Sequence, residues 1–169
     1  HHIDLLEWML GRPSTVYAAA ATQLVDIEAE DTGIATIKFE SGALGIIEAT
    51  TATRPKNIEG SLSLLGEKGM VEIGGFAVNE IVHWEFSSDE PEITASRTDN
   101  ETPPDVYGFG HRAYLEHVVE CLNRNSPALV DGLEGRKSLE LITAIYESVA
   151  TGEEVQVGYA GRHSKLGKK

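Results

Sequence analysis

Cys121 is the one cysteine in 169 residues. It cannot form an intrachain disulfide, and its setting is read as reducing and cytoplasmic. Cations are scarce as well: 14 Lys and Arg stand against 27 Asp and Glu, for a formal charge of −13. A duplex-binding surface needs clustered Lys and Arg, so this balance argues against nucleic acid as a partner. No apolar run approaches the roughly 20 residues of a membrane span, and no signal peptide is visible, so no membrane role is expected. Also missing are a Gly-x-Gly-x-x-Gly after a strand, a phosphate loop and zinc-ligand spacing. The chain brings no dinucleotide fold and no metal site of its own.

What is present is 41% hydrophobic sequence, enough for one domain around one core. Residues 32–86 read as a meander. Ala35, Ile37 and Phe39 share one face of a period-2 segment, residues 40–42 turn, and residues 44–51 and 62–65 read as further strands. Residues 66–69 turn again before a short strand at Val71 and Ile73. After Gly74-Gly75, residues 76–86 alternate, with Phe76, Val78, Val82 and Trp84 facing one way. One broad, mostly antiparallel sheet is the expectation.

Around it, residues 3–10 form a short, heavily buried helix stopped by Gly11 and Pro13. Residues 16–22 read as a strand at the sheet's edge or first position. Residues 26–31 are an acidic connection, and residues 87–105 a long acidic surface loop with few core-forming groups. Apolar residues at helical spacing mark helices over 111–123 and 134–151. The predicted fold is therefore α+β: an open sheet with helices on one face, over residues 1–160, followed by a basic tail, 161–169. With few helices to cover it, the second sheet face keeps apolar residues (Ile46 or Ile47, Leu62 or Leu64). Bare apolar surface of that kind marks an interface, so a homo-oligomer built sheet against sheet is expected.

Three polar clusters are candidate sites. His1 and Asp4 stand at i and i+3, a spacing that lets the carboxylate orient the imidazole; alternatively Asp4 only favours the helix N-terminus by its charge. In residues 50–57, Arg54, Lys56 and Asn57 gather with hydroxyls in an acidic protein, suited to a carboxylate or diphosphate; alternatively this is a solvated loop turned by Pro55. In residues 106–114, Gly108 and Gly110 allow close backbone approach while Tyr107, His111 and Tyr114 offer donors for sugar hydroxyls; alternatively the aromatics pack locally at a helix entry. His83, His117 and Cys121 are assigned to structure and His163 to the tail.

Residues 1–11 (His-His-Ile-Asp-Leu-Leu-Glu-Trp-Met-Leu-Gly), 39–50 and 131–139 (Asp-Gly-Leu-Glu-Gly-Arg-Lys-Ser-Leu) resemble the C-terminal half of the glucose–fructose oxidoreductase/inositol dehydrogenase (Gfo/Idh/MocA) family. Within it, residues 55–61, 65–69, 75–81 and 106–111 are similar to UDP-N-acetylglucosaminuronate 3-dehydrogenases. The resemblance implies an open-faced α+β domain carrying substrate and oligomer contacts, joined to an N-terminal Rossmann domain that binds NAD or NADP and is absent here. It implies that His1 matches the catalytic histidine of a His-x-x-Asp pattern, with Asp4 its carboxylate, which favours a native His1 over a purification-tag remnant. Lys56, Asn57 and His111 would face the substrate, with Arg54 and Tyr107 placed by position. The implied activity is oxidation of a nucleotide-sugar hydroxyl, by a full-length enzyme of which this fragment alone is inactive. An inositol or simple sugar dehydrogenase, and a non-catalytic assembly domain, are the alternatives.

Overall fold

In chain order, the computed structural model contains α1 (His2–Leu10), β1 (Pro13–Ala21), β2 (Thr32–Phe39), β3 (Leu44–Thr50), β4 (Leu62–Gly66), β5 (Gly69–Gly74), β6 (Glu80–Phe86), α2 (Gly110–Arg124), α3 (Gly132–Thr151) and β7 (Val155–Gln156). It describes residues 1–56, 60–75, 78–87 and 110–158. Asn57, Phe76, Tyr107, the expected acidic loop and the basic tail lie outside the described residues. The elements form two compact units, one made of His1, residues 3–57 and 130–169, the other of His2 and residues 58–129.

The first unit carries a four-stranded antiparallel sheet in the order β3-β2-β1-β7. Its register sets Val16, Ile37 and Gly45 in one row and Ala18, Ala35 and Ile47 in the next. Period-2 alternation turns these rows toward the helices, and Val16, Ala18, Ala35, Ile37 and Phe39 are buried. Helix α3 covers this face. Asp131 caps it by accepting the Leu133 and Glu134 N–H groups at 2.8 and 3.0 Å, and Gly152, with φ 73°, ends it in the left-handed conformation. Leu141 and Ala144 are fully buried on its sheet-facing side. Burying a Leu side chain contributes about 1.5–3 kcal/mol. Ser148, also fully buried, accepts the Ala18 N–H at 2.9 Å and donates to the Glu153 carbonyl at 2.6 Å, bringing the helix close to β1.

Strand β1 is interior, not an edge, because the two-residue β7 pairs with its Thr15 and Val16. Helix α1 is less buried than its composition predicts. Leu6 alone is buried, against Phe39 and Gly45, whereas Trp8 is 77% exposed. A helix lying on a sheet presents only one face to it, so Trp8 and Met9, on the other side of α1, stay exposed among the described residues.

The second unit holds a three-stranded antiparallel sheet, β4-β5-β6, and α2. The β4–β5 hairpin turns at Glu67-Lys68 between paired Gly66 and Gly69, as the sequence predicts. A side chain at Gly69 would run into the Glu85 carbonyl, so only glycine fits that approach. Between β5 and β6 the register shifts: Glu72 faces His83, but Ile73 faces Ile81. The bulge leaves Val82 over, and a one-residue shift exchanges the sheet's faces. The expected face of Val78, Val82 and Trp84 is therefore broken. Val78, at φ 54°, lies outside the strand, and Val82 is exposed while Trp84 and Phe86 stack at 5.2 Å.

The expected single broad sheet is thus two ladders within an α+β fold. The β2–β3 register runs one step past Thr50, with the Thr51 N–H on the Asp31 carbonyl at 2.8 Å, before the Ala52 N–H turns to the Thr50 hydroxyl at 3.0 Å. There the ladder ends, and β4 opens a separate sheet with β5 and β6.

Candidate active site

Two contacts orient α1 on the first unit's sheet. The Ser41 hydroxyl donates to the Leu10 carbonyl at 3.1 Å, and Leu6 lies over Gly45, where an added Cβ would sit 3.5 Å from its side chain. Helix and strand therefore run in opposite senses, Leu10 by the turn before β3 and Leu6 by its second residue. From Leu6 to His1 the helix rises about 7 Å, and from Gly45 to Thr50 the strand advances about 16 Å. By that measure His1 reaches about the middle of β3, short of the strand end from which Arg54 and Lys56 follow.

His1 is exposed and is the N-cap residue of α1, its carbonyl accepting the Leu5 N–H at 2.9 Å. Its side chain makes no capping bond. Asp4 occupies the first turn, where its charge suits the positive end of the helix. No hydrogen bond joins His1 to Asp4 in this structure. A cap residue has non-helical backbone angles, so the i, i+3 spacing does not by itself place the two side chains together. Arg54 and Lys56 are exposed, and the Arg54 guanidinium donates to the neighbouring Thr53 carbonyl at 2.8 Å. His111 is exposed on the first turn of α2, in the second unit. Asn57 and Tyr107 fall outside the described residues. Among the described residues no three His, Cys, Asp or Glu side chains gather as a metal site, and no helix is long and apolar enough to cross a membrane.

Two carboxylates that the sequence reading left unassigned are strongly perturbed. Glu7, half-buried on α1, is pushed up to about 7 by desolvation, with Asp4 and Glu140 adding repulsion and Lys137 partly offsetting it. Its inner oxygen, Oε2, is buried without a hydrogen-bond partner. Asp31 is buried and held down at about 2, chiefly by backbone N–H groups of Leu24 and Val25. Sequence showed it only as the last residue of an acidic connection, because its partners are main-chain groups that any residue supplies.

The remaining assigned residues are structural. His83 pairs across strands with Glu72 at 3.5 Å. His117 accepts the Leu129 N–H at 2.9 Å and lies 3.5 Å from the buried Cys121 sulfur.

Among the described residues both sheets are antiparallel, and no βαβ unit of the kind that builds a dinucleotide-binding sheet occurs. Over residues 1–157 the chain matches the oxidoreductase family's C-terminal α/β domain, and it belongs to this Gfo/Idh/MocA family. Among solved structures it is similar to the WlbA dehydrogenase from Bordetella pertussis in complex with NADH and UDP-GlcNAcA. That likeness is 42% identical over 95% of this chain and 46% of that one, with a TM-score of 0.81. The WlbA dehydrogenase from Chromobacterium violaceum, in complex with the same two molecules, is 44% identical over 95% of this chain and 44% of that one, with a TM-score of 0.78. An NAD-binding oxidoreductase from Klebsiella pneumoniae shares the fold, at 19% identity, a TM-score of 0.70, and coverage of 94% of this chain and 48% of that one. The chain thus spans slightly less than half the length of each. No protein of curated function matches it.

Proposed function

We propose that this chain is the substrate domain of an NAD-dependent dehydrogenase that oxidises a sugar hydroxyl, at C3, of a UDP-N-acetylglucosaminuronate-type nucleotide sugar. The observation that carries this reading is the 42–44% identity, over 95% of the chain, to two dehydrogenases bound to NADH and UDP-GlcNAcA. The two NADH-bound relatives are about twice as long as the stretch this chain matches, and the cofactor is assigned to the part that it does not span. What the nicotinamide supplies when bound is the hydride acceptor.

The work left to the chain is proton removal and substrate placement. Oxidising a secondary alcohol to a ketone releases a proton from oxygen as the hydride leaves carbon. An imidazole is suited to take that proton near neutral pH, and His1 is assigned that role. Arg54 and Lys56, exposed in the segment after β3, would hold the substrate's carboxylate or diphosphate. His111, Asn57 and Tyr107 are assigned to the sugar's hydroxyls. The first-unit sheet presents Tyr17, Ile34, Leu44 and Ile46 on its uncovered face, each about half exposed or more, and this face is assigned to self-association.

The test is calorimetry of UDP-N-acetylglucosaminuronic acid into the full-length protein loaded with NAD, followed by absorbance of NADH. Saturable binding with NADH formation is expected. Cofactor binding without any response to the sugar would discard the substrate and keep the dehydrogenase.

A further inference from the structure

The segment bearing Arg54 and Lys56 is tied down by an aspartate that touches neither. Asp31 Oδ2 accepts three consecutive backbone N–H groups, from Gln23 at 2.9 Å, Leu24 at 2.6 Å and Val25 at 2.8 Å. Successive N–H groups converging on one point form an anion-binding nest, and here the chain's own carboxylate fills it. Oδ1 lies 3.1 Å from the Thr32 hydroxyl. The residue is 2% exposed, so its place is fixed on every side.

The same residue's main chain reaches the end of β3. Its carbonyl accepts the Thr51 N–H at 2.8 Å and the Thr50 hydroxyl at 2.9 Å. The Thr50 oxygen then accepts the Ala52 N–H at 3.0 Å. The Thr50 hydroxyl, one of those clustered with the cations in residues 50–57, is therefore occupied within the protein. From this anchor at residues 50–52 the chain runs only two residues to Arg54 and four to Lys56. Each residue spans at most about 3.6 Å, so a shift of the anchor carries through to both cations.

We propose that Asp31 is a positioning residue for the anion-binding segment, acting through its carbonyl and Thr50 to set where Arg54 and Lys56 meet the substrate. This rests on the reading of Arg54 and Lys56 as the groups that hold the nucleotide sugar's anionic part. Preorganised cations lose less freedom on binding, so loosening the anchor weakens substrate affinity and leaves the proton-transfer geometry at His1 in place.

Thr50→Val keeps the side chain's shape, removes the hydroxyl and leaves the nest intact, which avoids the misfolding that Asp31→Ala invites. Steady-state kinetics of the full-length protein with NAD and UDP-N-acetylglucosaminuronic acid are measured for Thr50→Val, Thr50→Ser, Arg54→Ala/Lys56→Ala and the triple variant. Thr50→Val is expected to raise KM several-fold with kcat within about two-fold, and Thr50→Ser to restore KM. In the Arg54→Ala/Lys56→Ala background, Thr50→Val is expected to add nothing. An unchanged KM in Thr50→Val, or the same multiplication of KM in both backgrounds, overturns the positioning role while the substrate reading stands. If Arg54→Ala/Lys56→Ala leaves KM unchanged, the reading of the segment fails and the positioning role falls with it.

Discussion

Replacing Ser148 by Ala removes one oxygen and strands two main-chain groups. Strand β7 pairs only with Thr15 and Val16, so on that side of β1 the Ala18 N–H lies beyond the ladder's end. The Ser148 hydroxyl oxygen stands in for the missing strand, accepting that N–H at 2.9 Å. Its proton goes to the Glu153 carbonyl at 2.6 Å, closing the exit from α3. Both Ser148 and Ala18 are buried, so no water replaces the lost acceptor. A stranded buried donor costs about 1–3 kcal/mol and the lost bond to Glu153, at the exposed helix end, about 1 kcal/mol. Alanine's better helix propensity returns about 0.5 kcal/mol. The net loss is about 1.5–3.5 kcal/mol, or a fall in Tm of about 3–14 °C for a chain of this size. Circular dichroism melts of the wild type and variant measure it, and amide exchange at Ala18 locates it, with that proton exchanging much faster in the variant. Ser63→Ala, at an exposed position, serves as the control, expected within about 0.5 kcal/mol. A Tm within 1 °C of wild type, or an unaltered Ala18 exchange rate, would refute the account.

Other expectations follow from the same structure. Glu7 is raised from 4.5 to about 7, so the unfolded chain releases this proton first as pH rises. Its contribution to stability is therefore harmless below about 4.5, declines between 4.5 and 7, and is fully unfavourable above 7. Glu7→Gln should raise Tm at pH 8 by a few degrees, about 1 kcal/mol after solvent screening of this half-buried group, and leave it unchanged at pH 4; melts across that range would show no convergence if the argument is wrong. His1→Ala in the full-length protein should lower kcat by about 10²–10⁴-fold with little change in sugar binding, and an unchanged turnover would remove the catalytic assignment. Light scattering of the wild type should give an oligomer at micromolar concentration and Ile46→Lys should shift it toward monomer, since Ile46 is 74% exposed on the uncovered face, on edge strand β3; a monomeric wild type ends that reading.

Much of the architecture was legible because it rests on periodicity. Alternation at Ala35, Ile37 and Phe39 gave a strand with one buried face, and helical spacing in residues 111–123 and 134–151 gave α2 and α3 within one to two residues. The Gly66–Gly69 turn was legible for the same reason, since a close strand crossing admits no side chain. The bulge at Val82 was not: it is a mismatch between two strands, and alternation within β6 alone carries no record of its partner's register. Nor was the division into two sheets, since alternation within one strand does not record which strand it pairs with.

For the candidate site the line falls similarly. Residue type and local order determined which groups have the chemistry, an imidazole and carboxylate opening α1 and two cations after β3. Tertiary structure decided their arrangement. It made His1 a cap residue with no bond to Asp4, ran α1 against β3, and buried Asp31 under three main-chain donors. Side-chain identity is written in the chain, whereas hydrogen bonds to backbone groups are not, because every residue but proline carries the same donor and only the fold selects which ones meet.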